Sequence, residues 1–138
     1  DSCNAMPLSL FEHINLNILD ERKAHEFYVG GLGAVVNVPS SNELQLHVNF
    51  GVSQLHLLLK YNCVGGPKPV TASQTWAGEL ELWTTEPLDA LAGRLELLGF
   101  APKLAWAGEA EASASVLRVA CPWGNSFALR AAPNNFVP

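Results

Sequence analysis

Two stretches of this chain carry the same succession of patterns, and a chain written twice in this way can fold in few ways. Residues 11–18 alternate, with Ile14, Leu16 and Ile18 on one face and His13, Asn15 and Asn17 on the other, the signature of a half-buried strand. Asp20 is a good helix N-cap, Ala24, Phe27 and Tyr28 follow at helical spacing, and Gly30, Gly31 and Gly33 stop the helix. AVVNV (34–38) is short and β-branched. ELQLHVNF (43–50) and SQLHLLLK (53–60) alternate on either side of Gly51 and predict a hairpin. The unit is β-α-β-β-β. YNCVGGPKPVTASQT (61–75), with its glycine pair and two prolines, reads as a linker. Beyond it ELELWT (79–84) alternates again. Pro87 suits a first helical turn, Leu88, Leu91, Leu95 and Leu98 make an apolar stripe, and Gly99 ends it. KLAWA (103–107), ASVLRVAC (114–121) and SFALRA (126–131) predict three more strands, with PWGN (122–125) as the last turn.

Laid with residue 13 on residue 79, the two units also place Asp20 on Glu86 and Leu32-Gly33 on Leu98-Gly99. Later loops differ in length, so QLHL (54–57) falls on SFAL (126–129), and His56 on Ala128. The expectation is one α+β domain over residues 1–138: module one at about 10–60, the linker at about 61–75, module two at about 76–132.

Composition narrows the function. A net charge of −5 with no lysine- or arginine-rich run argues against a phosphate-tracking surface, so no nucleic-acid partner is expected. No apolar stretch approaches the length of a membrane span, so no membrane partner is expected either. Cys3, Cys63 and Cys121 are odd in number, far apart and without a CxxC pair. They fit a reducing intracellular compartment, and a targeting peptide removed upstream of Asp1 is compatible with that.

HINLNILDERKAHEFYVGGLG resembles the opening strand, helix and FY…LG segment of the vicinal oxygen chelate superfamily. That superfamily includes glyoxalase I, extradiol dioxygenases, methylmalonyl-CoA epimerase, and fosfomycin- and bleomycin-resistance proteins. CPWGNSFAL resembles its closing segment, and LHVNFGVSQLHLLL a hairpin of plant and cyanobacterial glyoxalase-like members. The resemblance spans roughly residues 10–132 and implies two tandem βαβββ modules whose curved mixed sheets form a cup. It implies a divalent metal in that cup, held by residues of the first and last strand of each module. Carried over position by position, these are His13, His56, Glu79 and, in place of the usual glutamate, Ala128. Strand phase agrees, because His13, His56 and Glu79 all fall on the polar faces of their strands.

Two imidazoles and a carboxylate suit zinc, nickel, iron, manganese or cobalt and leave positions open for substrate oxygens. Glu81, two residues on, is a fallback ligand. With no glutamate at 128, Glu79 or Glu81 is the expected proton-transfer base. Asn15, Gln54, Trp83 and Arg130 share the inward phase and are the expected substrate contacts, with Lys60 and Ser126 beside them. Trp106 and Trp123 are further candidates for an aromatic wall. His47 and Asn49 read as a solvated strand face, His25 as surface, and Cys121 as a structural thiol.

The sequence is compatible with two functions. One is a small-molecule enzyme using metal-assisted chemistry on an oxygen-chelating substrate, of lyase, isomerase or dioxygenase class. The other is a ligand-binding or partner-docking protein of the same shape, without a metal if the site is degenerate. Open sheet edges predict a homodimer in either case.

Overall fold

The computed structural model describes residues 11–42, 45–51, 53–59, 78–106, 114–134 and 136. Two four-stranded mixed sheets carry the helices, and each module runs β-α-β-β-β. Module one holds β1 (Ile14–Ile18), β2 (Val35–Val36), β3 (Gln45–Phe50) and β4 (Ser53–Leu59) in the order β1-β4-β3-β2. Module two holds β5 (Glu79–Thr84), β6 (Lys103–Ala105), β7 (Val116–Ala120) and β8 (Ser126–Ala131) in the matching order β5-β8-β7-β6. In each, the first strand runs parallel to the last and the remaining pairs are antiparallel. The sheets stay separate and do not close on each other. Among the described residues no helix is long and apolar enough to cross a membrane. The linker, Lys60, Cys3 and Cys63 lie outside the described residues.

The first helix opens as α1 (Glu21–Ala24), capped by the Asp20 carboxylate, which accepts from the Lys23 N–H at 2.9 Å. It then widens into a π-helical segment, His25–Gly31. An i→i+5 pattern turns less per residue than an α-helix, so the adjacent Phe27 and Tyr28 both stay on the core side, fully buried. The second helix, α2 (Leu88–Leu97), is an ordinary α-helix burying Leu88, Leu91 and Leu95. The two helices bury different positions, Ala24, Phe27 and Tyr28 in the first and Leu88, Leu91 and Leu95 in the second. Pro87 is the N-cap of α2 rather than part of its first turn.

Four strands are shorter than the alternation predicts, β1 among them, which starts at Ile14 and leaves His13 just outside it. β2 ends at Val36 because Val38–Ser40 coils into a 3-10 turn with Pro39 inside it, and proline has no N–H for a ladder. β6 stops at Ala105, before Trp106. β7 stops at Ala120, where the Cys121 N–H turns to the Asn125 carbonyl at 2.9 Å.

The modules share one apolar core. Phe27 meets Phe100 and Phe127 with centroids 4.9 and 5.9 Å away, and Tyr28 meets Phe127 edge-on at 5.7 Å. The Tyr28 hydroxyl lies against Cys121 and Asn125, and burial pushes its pKa well above the phenol range. The helices pack tightly at Gly31, where a Cβ would stand 2.7 Å from Leu95 Cδ2. Arg94 of α2 donates from Nε and Nη2 to the Gly31 carbonyl at 3.1 and 2.8 Å, and pairs with Glu86. The Asn125 amide donates to the Asn17 carbonyl at 3.1 Å. Both contacts bind module two to the backbone of module one.

Candidate functional site

On the polar face of the first sheet, register sets the chemistry. His47 of β3 stands opposite His56 of β4, and Asn15 of β1 flanks His56 on the other side. Side chains of one face alternate along each strand, so these residues share that face with Gln54 and Asn49. The rings of His47 and His56 stack at 3.5 Å and 4°. His13, just before β1, stacks on the opposite side of His56 at 3.7 Å and 10°. Three imidazoles thus lie in a column, two on β3 and β4 and the third at the entry to β1.

Each ring is held by polar neighbours. Gln54 Nε2 donates to Asn49 Oδ1 at 2.8 Å, which leaves Gln54 Oε1 to accept from His56 Nε2 at 2.6 Å. His47 bonds Gln45 Oε1 through Nε2 at 2.7 Å and Ser40 Oγ through Nδ1 at 2.9 Å. His13 Nδ1 donates to Glu12 Oε2 at 2.6 Å. Burial lowers the His47 pKa, helped by the nearby His13. Burial also lowers that of His56, helped by His47 and His13. Both therefore favour the neutral ring. His47 is not the solvated residue the alternation suggested. It is 7% exposed, because the turn carrying Ser40 and the Gln45 side chain cover it.

On the second sheet Glu79, Glu81 and Trp83 share a face with Ser126, Ala128, Arg130 and Arg118. Arg118 Nε lies 3.1 and 3.3 Å from the two Glu79 oxygens, and Arg130 Nε lies 2.7 Å from Glu81 Oε1. Glu79 is therefore bonded to a guanidinium on its own sheet. Trp83 is exposed, with Phe136 edge-on to its ring at 5.7 Å.

The chemistry of the donors can be tested against a divalent ion. Ligand nitrogens and oxygens must converge on one point about 2.0–2.2 Å away. Parallel stacked imidazoles aim their in-plane lone pairs side by side, one ring's thickness apart, and Glu79 is engaged by Arg118. Among the described residues no group of three or more His, Cys, Asp or Glu is placed to hold a metal. The residues as arranged do not fit one.

Two cavities flank this region. One, of about 660 Å³, opens between the modules and is lined by Gly33, Phe50, Glu81, Trp83 and Phe136. The other, of about 700 Å³, lies under Trp106 beside Pro87, Leu104 and Phe136, and of the expected site residues only Trp106 lines it. Of those residues, the structure brings His13, His56, Asn15 and Gln54 together on sheet one, and Glu79, Glu81, Trp83 and Arg130 on sheet two. Trp123 is buried in the core, His25 is exposed, and Cys121 is a buried free thiol. Arg118 and Phe136 were missed. Arg118 was findable, since a hairpin closed at PWGN pairs residue 118 with 128.

No family profile matches the sequence, and neither does any curated protein. Solved structures do match. An integron cassette protein from the mobile metagenome of V. cholerae superposes with a TM-score of 0.66 at 18% identity, covering 93% of this chain and 98% of that one. The fosfomycin resistance protein FosX from Mesorhizobium loti gives 0.67 at 12% identity, covering 93% and 96%. An antibiotic binding protein from a Streptomyces species gives 0.63 at 20% identity, covering 93% and 99%. Further matches include glyoxalase family proteins of Bacillus anthracis and Enterococcus faecalis. The chain has the vicinal oxygen chelate fold.

Within that fold the reaction is set by side chains, not by the backbone. At these identities the likeness is one of shape, and the vicinal oxygen chelate neighbours range from a resistance protein to an antibiotic binding protein. What this chain does has to be argued from its own two faces.

Proposed function

We propose that this protein binds a small organic molecule against the polar face of module two, in the cleft beside Trp83, and that it does so without a metal. One observation carries the reading: a large aromatic side chain, 59% exposed, stands on a sheet face between charged residues and walls a cavity shared by both modules. Ligand sites combine apolar surface with a few placed polar groups, and this cleft has Trp83, Phe50 and Phe136 beside Glu81. Contiguous exposed apolar surface rimmed by polar groups marks a ligand or partner site. One solved neighbour of the same fold is named as an antibiotic binding protein.

The metal-assisted enzyme is the second reading, favoured by one observation: His13 and His56 are in ring contact on one face. It would need His13 to unstack and Glu79 to leave Arg118, with Glu79 or Glu81 as base. The expected homodimer belongs to either reading, with open edge strands as its support; a monomer mass by light scattering would remove it.

Thermal-shift screening of a small-molecule panel, run with EDTA and again with zinc, nickel, manganese or iron, separates the two. Binding without metal predicts compounds that stabilise equally in EDTA and lose most of their effect in Trp83→Ala. Stabilisation that vanishes in EDTA, returns with one ion and disappears in His13→Ala would replace this reading with the metal-dependent one.

A further inference from the structure

Glu79 and Arg118 belong to strands that are not neighbours. β8 lies between β5 and β7, and Glu79 is two residues along from the position across from Arg118, so their Cα atoms are roughly 12 Å apart at ordinary strand spacing. The bridge between them crosses β8 near Ala128, which is the register partner of both Glu81 and Arg118. Ala128 sits on the open face and yet is only 3% exposed. The charged side chains around it close over its methyl group. A longer residue there would stand in the path of the Arg118 side chain. Ala128 and the Glu79–Arg118 bridge are therefore one arrangement. The small residue lets an arginine lie where a carboxylate would otherwise project.

Arg118 and Arg130 are diagonal neighbours on adjacent strands, within reach of one bound group. A guanidinium has five N–H donors in a fixed planar fork, and among the described residues both arginines meet their glutamates through Nε, which leaves the terminal nitrogens to face a ligand. Both side chains are partly exposed, 49% and 32%, which keeps those nitrogens accessible.

We infer that Arg118 and Arg130, with room made by Ala128, form a subsite for an oxyanion group of a small molecule, with Trp83 beside it for the apolar part. Trp83 is the register partner of Arg130 on the neighbouring strand, so a carboxylate or phosphate held by the two arginines would lie next to the indole. Glu79 and Glu81 orient the two forks through Nε and are positioning residues. The glutamates balance the charge of the two guanidinium groups, so what this face offers is directed N–H donors, and an oxyanion takes paired N–H donors from such forks in preference to a spherical halide. This inference rests on the reading that the ligand lies on the face of module two.

The test uses the full chain and two probes, inorganic phosphate and benzoate, titrated at constant ionic strength against chloride. Arginine Nε–H resonances are followed by ¹⁵N NMR and assigned from their loss in Arg118→Lys and Arg130→Lys. The expected result is a saturable shift of both resonances with one or both probes and none with chloride, weakened about tenfold in each lysine variant, which keeps charge but not the fork. Ala128→Glu should abolish the shift, because its carboxylate would occupy the arginines; the lysine variants carry the test should that protein fail to fold. A tetrahedral preference shows as phosphate binding more tightly, a planar one as benzoate. No saturable shift at tens of millimolar, or shifts that survive both lysine variants unchanged, would overturn the inference. A compound from the screen that stabilises the protein and depends on Trp83, yet leaves both arginine resonances unmoved, would overturn this subsite while leaving the proposed function standing.

Discussion

The two modules are the same backbone with opposite chemistry on their open faces. Both run β-α-β-β-β with the first strand parallel to the last, and both close their helix with a glycine in the left-handed region, Gly33 at φ 80° and Gly99 at φ 89°. The face of module one is a column of three imidazoles, His47 and His56 tied by neutral amides and a hydroxyl and His13 by the Glu12 carboxylate. The face of module two is a pair of glutamate–arginine bridges beside a tryptophan. What repeats is what the fold needs: strand phase, the helix stop and the buried face. What diverged points away from the core and is free to serve a ligand. The difference teaches that the duplicated frame and the site chemistry can be perturbed separately.

The largest effect should come from the place where the modules are no longer separate. Phe127 of module two is fully buried against Phe27 and Tyr28 of module one. Phe127→Ala should cost about 3–5 kcal/mol, the range for truncating a buried phenylalanine. Because the core is continuous, the loss should appear as one cooperative transition for the whole chain, measured by denaturant unfolding with circular dichroism. Two separate transitions, only one of them displaced, would show that the modules fold independently and would break the picture of a shared core.

A smaller, matched effect should come from the helix stops. Gly33 and Gly99 occupy equivalent turns, and a side chain in the left-handed region costs about 1–2 kcal/mol. A Cβ at Gly99 would meet nothing within 4 Å, and one at Gly33 only the Arg94 Nη2 at 3.7 Å. Neither substitution carries a steric penalty, so Gly33→Ala and Gly99→Ala should destabilise by nearly the same amount. The midpoints of urea unfolding test this equality. A clear difference between them would mean that the two helix ends, π-helical in one module and α-helical in the other, do not hold the glycine in the same way.

Much of this frame is legible in the sequence. Alternation marks β5 as Glu79–Thr84 and β8 as Ser126–Ala131, the bounds observed, because a half-buried strand writes its phase directly into the order of residues. The same phase put His13 and His56 on one face, and Glu79, Glu81 and Trp83 on another. The length of β2 was not legible, because five β-branched or small residues look like a strand until Pro39 pulls the chain into a turn. Nor was the burial of His47, which depends on a bond to Ser40 from a turn that alternation does not describe. The Arg118 bridge depends on reach across a third strand, and so on sheet order and on the size of residue 128 together. Neither is a property of any one segment. The π-helical widening of the first helix has no marker in the spacing of Ala24, Phe27 and Tyr28, which an α-helix would satisfy as well.

The smallest effect distinguishes the two faces by their response to acid. The folded protein holds His47 and His56 with lowered pKa values, chiefly through burial and then through the neighbouring imidazoles, with Glu12 opposing the shift in both. The unfolded chain titrates near the ordinary histidine value of about 6.5. Between the lowered folded values and that value, the unfolded state binds more protons than the folded one. Stability therefore rises with pH across this window and is lost as the solution is acidified through it. Module two contributes its own dependence lower down. Glu86 has a carboxyl pKa lowered by its bond to Arg94, and its stabilisation, modest for a partly exposed pair, is lost only on acidification below the ordinary carboxylate range. Unfolding midpoints compared at pH 7.5 and pH 5.5 should thus report the histidine column and leave the Glu86 bond aside. His56→Phe keeps a flat ring between His13 and His47 but cannot take a proton, so it should show a smaller drop between the two pH values than the parent. An equal drop in the two proteins would assign the acid sensitivity to other groups and leave the column as packing alone.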